Sequence, residues 1–340
     1  MLHDLLPLYD IAIATESRRK KTPNYERAWT RMNKALPSLC YSDTTLEDRV
    51  AVLEKYKMVK KEYLDRIPVI EQRSDEWYAA RKTMLTASDF GQAMGVGKFG
   101  TVKDIYIKKC GYEERPFDGS AAPLRWGVKY EPVANGIYEK LTNTTVSEYG
   151  IIRHQKHSFI GASPDGVNDL GIMLEIKCPW QRKIDGVIPT QYLMQIQGQL
   201  EVCDLEECDY LECELEEFDS LEDVDEYPSP FKGKVLETTD GEFQYFELED
   251  SVSSKGGKIT YWALRKHIIR RVFRDREMFE KKILPVITDV WNNVLKYRSD
   301  KEAYDKAVKT VKRTQTGVKK KVNSEFMIRE DTPSNHKIVP

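Results

Sequence analysis

The chain has 340 residues, 40% of them hydrophobic and 32% charged, with 53 Lys and Arg against 55 Asp and Glu for a formal net charge of −2. This composition holds enough apolar residues for a core and excludes wholesale disorder, and at roughly 150 residues per domain the length allows one large domain or two. No stretch approaches the roughly 18 apolar residues of a membrane span, the apolar opening MLHDLLPLYDIAIA carries Asp4 and Asp10 and no early Lys or Arg, and six unevenly spaced Cys make no disulfide framework. A soluble, intracellular, reduced protein is expected.

Thr44 and Glu47 have the spacing of a capping box. Leu46, Val50, Leu53, Tyr56 and Met58 then give an approximately helical apolar face over 44–66, ended by Pro68. With the segment around Trp29 this predicts a helical N-terminal extension over residues 1–70. Residues 75–82 and 88–94 read as helices separated by a turn containing Thr and Ser, and Gly95, Gly97 and Gly100 mark a loop. A helix is predicted over 123–141, where Trp126, Tyr130, Val133, Ile137 and Leu141 fall at helical spacing. Strand-like runs follow at 145–153, 158–163 and 171–177, with Pro164, Asp165 and Gly166 as a turn. Residues 190–202 read as a helix, 208–218, 233–237 and 242–248 as strands, 258–265 as a further candidate strand, and 275–297 as a late helix. The C-terminal 301–340 is basic and polar, with Lys319, Lys320 and Lys321 adjacent, and is expected to be mobile. Helices around a central run of strands predict a mixed α/β (α+β) layered domain over 71–300, its sheet mixed or mostly antiparallel.

The near-zero net charge conceals an imbalance. Residues 201–226 contain fourteen Asp and Glu and no Lys or Arg, so the rest of the chain carries +12. Such a surplus suits a polyanionic partner and is also compatible with an ordinary charged surface.

The most informative stretch is FIGASPDGVNDLGIMLEIKCPW at 159–180. Alternation along a strand puts Glu175 and Lys177 on one face and Leu174 and Ile176 on the other, with Asp165 at a turn ten residues upstream. Two carboxylates can hold Mg²⁺, a hard cation that prefers oxygen ligands. Such a metal activates water and neutralises phosphate charge, and a lysine stabilises developing negative charge. A bare E-x-K is far more often a surface ion pair; the Pro-Asp turn and the apolar strand shift that balance. Glu131, in RWGVKYEP on the 123–141 helix, is a candidate third carboxylate.

These residues carry a resemblance. QRSDEWYAARKTMLTASDFGQAMG at 72–95, LRWGVKYEPVA at 124–134, IGASPDGV at 160–167, LEIKCPW at 174–180 and YLMQIQGQLEV at 192–202 are, in that order, similar to motifs of the YqaJ/lambda-exonuclease family of PD-(D/E)XK nucleases. The resemblance implies a PD-(D/E)XK core with Glu131, Asp165 and Glu175 as metal ligands, helped by the Ile176 carbonyl, and Lys177 as the catalytic lysine. Gln195 and Gln197 match the family's glutamine motif. The implied function is Mg²⁺-dependent hydrolysis of DNA, with Mn²⁺ an acceptable substitute, running 5′→3′ from double-stranded ends during viral or phage recombination. A structure-specific endonuclease and a non-catalytic end-binding protein are the alternatives. Implied partners are DNA ends and a single-strand annealing protein, with homo-oligomerisation open and the host cytoplasm or nucleus as location.

Trp77 and Arg81, four residues apart, share a helix face, and Ser88 is a good N-cap for the next helix. A helix N-terminus with a hydroxyl and a nearby Arg forms an anion site. By resemblance, Arg81, Ser88 and Ser163 are expected to grip a terminal 5′-phosphate, with Arg182 or Lys183 as a further basic group.

Other signals are weaker. Lys98 after Gly97 lacks P-loop spacing, and Phe99 stands where Ser or Thr is needed. Cys203, Cys208 and Cys213, with Cys40 or Cys110, could hold an iron–sulfur cluster, but buried thiols are the expected reading. His154 and His157 are expected on the surface, and the acidic 201–226 segment is expected to be a solvated face that stays off DNA.

Overall fold

The computed structural model describes residues 46–309 except 69, 71, 99 and 113–120. Thr44, Trp29, Cys40 and the 319–321 lysines of the sequence reading therefore lie outside the described residues. Helix α1 spans Leu46–Glu62 and buries Tyr56 in the main core. Helix α2 (Asp75–Lys82) starts at Ser74, whose hydroxyl accepts the Trp77 N–H at 3.2 Å. Strand β1 (Leu85–Thr86) leads through a tight turn over Ala87–Asp89 into a four-residue helix, α3 (Phe90–Ala93). Helix α4 (Val102–Cys110) ends on Gly111, and α5 (Ala122–Thr142) ends on Asn143, both left-handed residues that close a helix well.

Strands β2 (Val146–Ser147), β3 (Ile152–Arg153), β4 (Ile160–Ala162), β5 (Gly166–Asn168) and β6 (Ile172–Lys177) follow, then α6 (Thr190–Cys203) and β7 (Glu207–Phe218). A short helix α7 (Leu221–Glu226) precedes β8 (Lys232–Thr238), β9 (Phe243–Phe246) and β10 (Gly257–Phe273). Arg276–Met278 and a π-helical turn over Phe279–Ile283 lead into α8 (Leu284–Ser299), and α9 spans Lys301–Val308. The π turn adjoins Pro285, which has no N–H to complete the α-helical ladder.

A seven-stranded sheet runs β2-β5-β6-β7-β10-β8-β9, and a smaller sheet runs β1-β4-β3. In the large sheet only β6 and β7 are parallel, joined by the crossover helix α6. Leu174 and Ile176 pack with Tyr130, Ile137 and Tyr138 of α5, while Met173 packs with Met194 and Ile196 of α6. The expected mixed α/β architecture is present, with the sheet sandwiched between α5 and α6.

Several elements differ from expectation for physical reasons. The run 145–153 is two strands, β2 and β3, in different sheets. The candidate strand 258–265 extends through 273; Arg265, Lys266, Arg270 and Arg271 mask its alternation, with Arg265 and Arg271 paired to acids of β7 and Lys266 and Arg270 donating to the Ile184 and Gly186 carbonyls. Helices α4 and α7 were absent from the sequence reading. Residues 301–308, assigned to the mobile tail, form α9 and bury Tyr304 in the core.

Candidate active site

Glu175 stands on the α6 side of β6 and is 0% exposed. A buried carboxylate is costly unless its oxygens are matched. Lys177 and the Gln195 amide, the latter at 2.7 Å, donate to its Oε1, and the Gln199 amide donates to its Oε2 at 2.7 Å. Glu175 and Lys177 thus share the face that strand alternation predicted. Gln195 and Gln199 are four apart and share one face of α6. Gln197 does not join them: its amide donates to the Phe273 carbonyl at 2.8 Å and its oxygen accepts the Asp275 N–H at 2.7 Å. Helical spacing on 190–202 could have found Gln199, since residues three or four apart share a helix face with Gln195 and one two apart, such as Gln197, does not.

Asp165 lies immediately before β5, and the β5–β6 register sets it beside the end of β6. Its Oδ2 accepts the Ile176 N–H at 2.6 Å. Glu131 projects from α5, and Arg73 reaches its Oε2 at 3.1 Å. Arg73 is left-handed (φ 69°), an uncommon conformation for a non-glycine residue. Burial, then the charge of Glu175 and then that of Glu131, hold the Asp165 carboxyl well above the usual aspartate range. Burial likewise raises Glu131, with Arg73 and Lys177 working against it and Glu175 adding to it. Burial disfavours the Lys177 ammonium, but Glu175 and Asp165 outweigh that and raise it above the ordinary lysine value. The Lys177 ammonium also lies 5.0 Å from the centre of the Tyr192 ring.

The three carboxyl groups are thus close enough to shift one another, with the lysine among them. Their oxygens suit a hard divalent cation. Among the described residues, no three of His, Cys, Asp or Glu form a ready cation cage; Lys177, Arg73 and the Ile176 N–H take up the carboxylate oxygens instead. The donor chemistry fits a metal, and closing a cage requires these side chains to regroup.

Arg81 and Ser88 meet, the guanidinium donating to the Ser88 hydroxyl at 2.9 Å. The guanidinium also stacks over the Trp77 ring, 4.2 Å from its centre. Ser88 is not the expected N-cap. Thr86 and Asp89 form the capping box, with the Asp89 carboxylate accepting the Thr86 N–H and hydroxyl, each at 3.0 Å. The following helix α3 is a single turn, so the anion site rests on side chains rather than on a helix end. Ser163 follows β4, next to β1 in the small sheet, and its buried hydroxyl has no partner among the described residues. A cleft of about 120 Å³ is lined by Ser88, Gln92, Gln191, Tyr192 and Gln195, so the partner of Arg81 and a donor to Glu175 face the same space. Helices α3 and α6 beside it approach closely because Gly198 has no side chain: a Cβ there would fall 2.4 Å from the Phe90 ring.

Residues 76–206 match the family described as the YqaJ-like viral recombinase domain. The matched span contains Arg81, Ser88, Glu131, Asp165, Glu175, Lys177 and both glutamines that hold Glu175. An uncharacterised protein of Acanthamoeba polyphaga mimivirus is 28% identical over 74% of this chain and 57% of its own length. A protein of African swine fever virus is 26% identical over 38% of this chain and 46% of its own. The chain therefore spans about half the length of these curated relatives. Among solved structures, an alkaline exonuclease from Laribacter hongkongensis is 21% identical, covering 66% of this chain and 95% of its own, with a TM-score of 0.45. A phage-related exonuclease from Haemophilus somnus gives 14%, 63%, 93% and 0.38 for the same quantities.

Around the candidate site, other expectations change. Arg182 is held by Glu212, which also accepts the Tyr210 hydroxyl at 2.9 Å. Of the two basic candidates, Lys183 is exposed and Arg182 half-buried. Much of the acidic 201–226 segment, from Glu201 to Glu217, is ion-paired and not a solvated face. Arg271 pairs with Glu207 and Asp209, Arg274 with Glu201 and Asp204, Lys129 with Glu217 and Arg182 with Glu212. The +12 of the remaining chain is accordingly spent in part inside the fold. Cys203, Cys208 and Cys213 are buried free thiols, and burial raises all three, Cys203 and Cys213 to about 12. His154 is buried rather than on the surface, its Nδ1 accepting the Lys156 and His157 N–H groups. Among the described residues, no helix is long and apolar enough to cross a membrane.

Proposed function

We propose that the chain is a divalent-metal-dependent deoxyribonuclease that digests duplex DNA from its ends in the 5′→3′ direction, serving viral or phage DNA recombination and processing. One observation carries the reading: Glu131, Asp165, Glu175 and Lys177 gather at the end of β6, and one cleft is lined both by Gln195, which donates to Glu175, and by Ser88, which accepts from Arg81. The YqaJ-like domain, described as a viral recombinase, supports the recombination role.

Glu131, Asp165 and Glu175, with the Ile176 carbonyl, would hold Mg²⁺, and Mn²⁺ would substitute. The ion supplies an activated water and neutralises charge on the phosphate. The remaining work belongs to the protein. Gln195 and Gln199 fix the orientation of Glu175, and the Ile176 N–H fixes that of Asp165. Lys177 supplies a fixed positive charge where negative charge grows on the cleaved phosphate. Arg81, Ser88 and the unpaired hydroxyl of Ser163 donate to the terminal phosphate, which sets the distance from the end at which the chain is cut. Lys183 offers a further backbone contact. In this reading residues 1–70 are an extension to a nuclease domain over 71–300, DNA ends are the substrate, and a single-strand annealing protein and further copies of the chain are the partners, in the host cytoplasm or nucleus.

The test is incubation with end-labelled linear duplex and covalently closed plasmid, with Mg²⁺ or with EDTA. Linear DNA shortened from its 5′ ends only with Mg²⁺, and an intact closed circle, are expected. Nicking of the closed circle would replace this reading with an endonuclease, and intact linear DNA under all conditions would end the nuclease reading.

A further inference from the structure

Behind the Arg81–Ser88 pair lies a buried ion pair between Asp89 and Lys109. Asp89 is 5% exposed, and its carboxylate closes the capping box that shapes the turn carrying Ser88. That same carboxylate is a buried negative charge next to Arg81, and it works against any anion Arg81 is meant to attract. Lys109 comes from α4, outside the motifs of the site, and is 7% exposed. Its ammonium lies 2.9 Å from Asp89 Oδ2 and donates to the Arg81 carbonyl at 2.7 Å. The α4 end that carries it is held in turn by Arg298, which donates to the Lys109 carbonyl at 3.1 Å from Nε and 2.9 Å from Nη2.

The charges can be counted. Arg81 and Asp89 alone sum to zero, and with Lys109 the group is +1. We infer that Lys109 is the counter-charge that keeps the Arg81 guanidinium available to a terminal phosphate, and so sets the enzyme's preference for 5′-phosphorylated ends without touching DNA. The inference rests on the reading of Arg81 and Ser88 as a terminal-phosphate pocket. Burial opposes ionisation of Asp89, but Lys109 and Arg81 outweigh it and hold the carboxyl at about 2, while burial draws Lys109 below the ordinary lysine value against the pull of Asp89, so the count rests on the 2.9 Å contact between the two. Lys109 is a positioning and specificity residue, and a merely structural tether of α4 to α2 is the competing reading.

Charge arithmetic separates the two. Full-length wild type, K109M, K109Q and the double variant D89N/K109M are compared on one duplex bearing either a 5′-phosphate or a 5′-hydroxyl, in Mg²⁺, with kcat/KM measured for each end. Wild type prefers the phosphate. K109M and K109Q, with the pocket at zero net charge, lose on the order of tenfold of that ratio, the scale of one charge acting over several ångströms at an effective dielectric of about 20. D89N/K109M returns the pocket to +1 and recovers the wild-type ratio, although the contact with the Arg81 carbonyl is gone. Should K109M fail to fold, K109Q and the double variant, which buries no unpaired charge, decide the matter by the same two ratios. A wild-type ratio in K109Q, or a double variant as unselective as the single one, overturns the counter-charge and leaves a tether. Active wild type with no end preference overturns the phosphate pocket itself, and the inference with it.

Discussion

Glu175 is a buried carboxylate with its oxygens matched by Lys177, Gln195 and Gln199, and the balance among those donors can be probed one atom group at a time. Lys177→Ala should lower single-turnover cleavage about 10²-fold or more, the size of a lost transition-state contact, while DNA binding followed by anisotropy stays close to wild type. Near wild-type cleavage would remove Lys177 from the chemistry. Gln199→Ala leaves Glu175 Oε2 buried without its donor, which should cost about 1–3 kcal/mol in urea unfolding. Gln197→Ala should leave cleavage far less affected than Gln195→Ala, because Gln197 braces the turn at Phe273–Asp275 and not the carboxylate. Crowding of Asp165 with Glu175 and Glu131 predicts a trade-off. Asp165→Asn keeps an acceptor for the Ile176 N–H and removes the repulsion, so the metal-free variant should melt above wild type while losing cleavage. A lower melting temperature would show that the carboxylates do not strain the fold.

At the level of elements, β7 and β10 explain each other. The acidic strand lies antiparallel to the basic one, Asp209 opposite Arg271 and Glu212 opposite Ile268. Tyr138 of α5 adds a hydroxyl to Asp209 at 2.8 Å, and Asn168 of β5 in turn donates to that hydroxyl at 3.1 Å. Breaking one member of such a buried group strands a charge, and Arg271→Met should cost about 3–5 kcal/mol by denaturant titration. A loss under 1 kcal/mol would mean that water reaches Glu207 and Asp209. The charges that hold β10 in place are the ones that hid it from a reading based on hydrophobic alternation.

For the whole molecule, acid stability follows from the depressed carboxyls. Burial works against ionisation of Asp89 and Glu201, but Lys109 and Arg81 in one case and His154 and Arg274 in the other hold them at about 2, below their ordinary values of 3.8 and 4.5. A depressed acid contributes stability that is present above its unfolded value and lost as pH falls through its folded value. Urea midpoints should therefore hold near neutrality and fall between pH 4.5 and pH 2. D89N/K109M should show a shallower fall, since one of the two groups is gone; an unchanged slope would assign the acid transition to other carboxyls. Buried, unreactive cysteines also predict a colourless protein without bound iron, checked by absorbance and metal analysis.

Much of the site was legible in the sequence because it depends on local order. Glu-x-Lys sets Glu175 and Lys177 on one face by strand period alone, Pro-Asp marks the turn of Asp165, which the β5–β6 pairing then brings beside them, and Trp77 and Arg81 meet by helix period. Periodicity also located α2, α5, α6 and β6 to within a residue or two. What it could not rank was which of several equivalent side chains faces the site. Gln199 rather than Gln197, Thr86 rather than Ser88 as the cap, and the capture of Arg182 by Glu212 are decided by packing between elements distant in the chain. Lys109 is the clearest case: it sits 28 residues from the Arg81 carbonyl it holds, on a helix without a motif, and nothing in its local sequence marks it. Period and turn chemistry act over a few residues and are written in the chain, whereas the pairing of buried charges depends on low dielectric and close approach, which exist only once the sheet, α5 and α6 have come together.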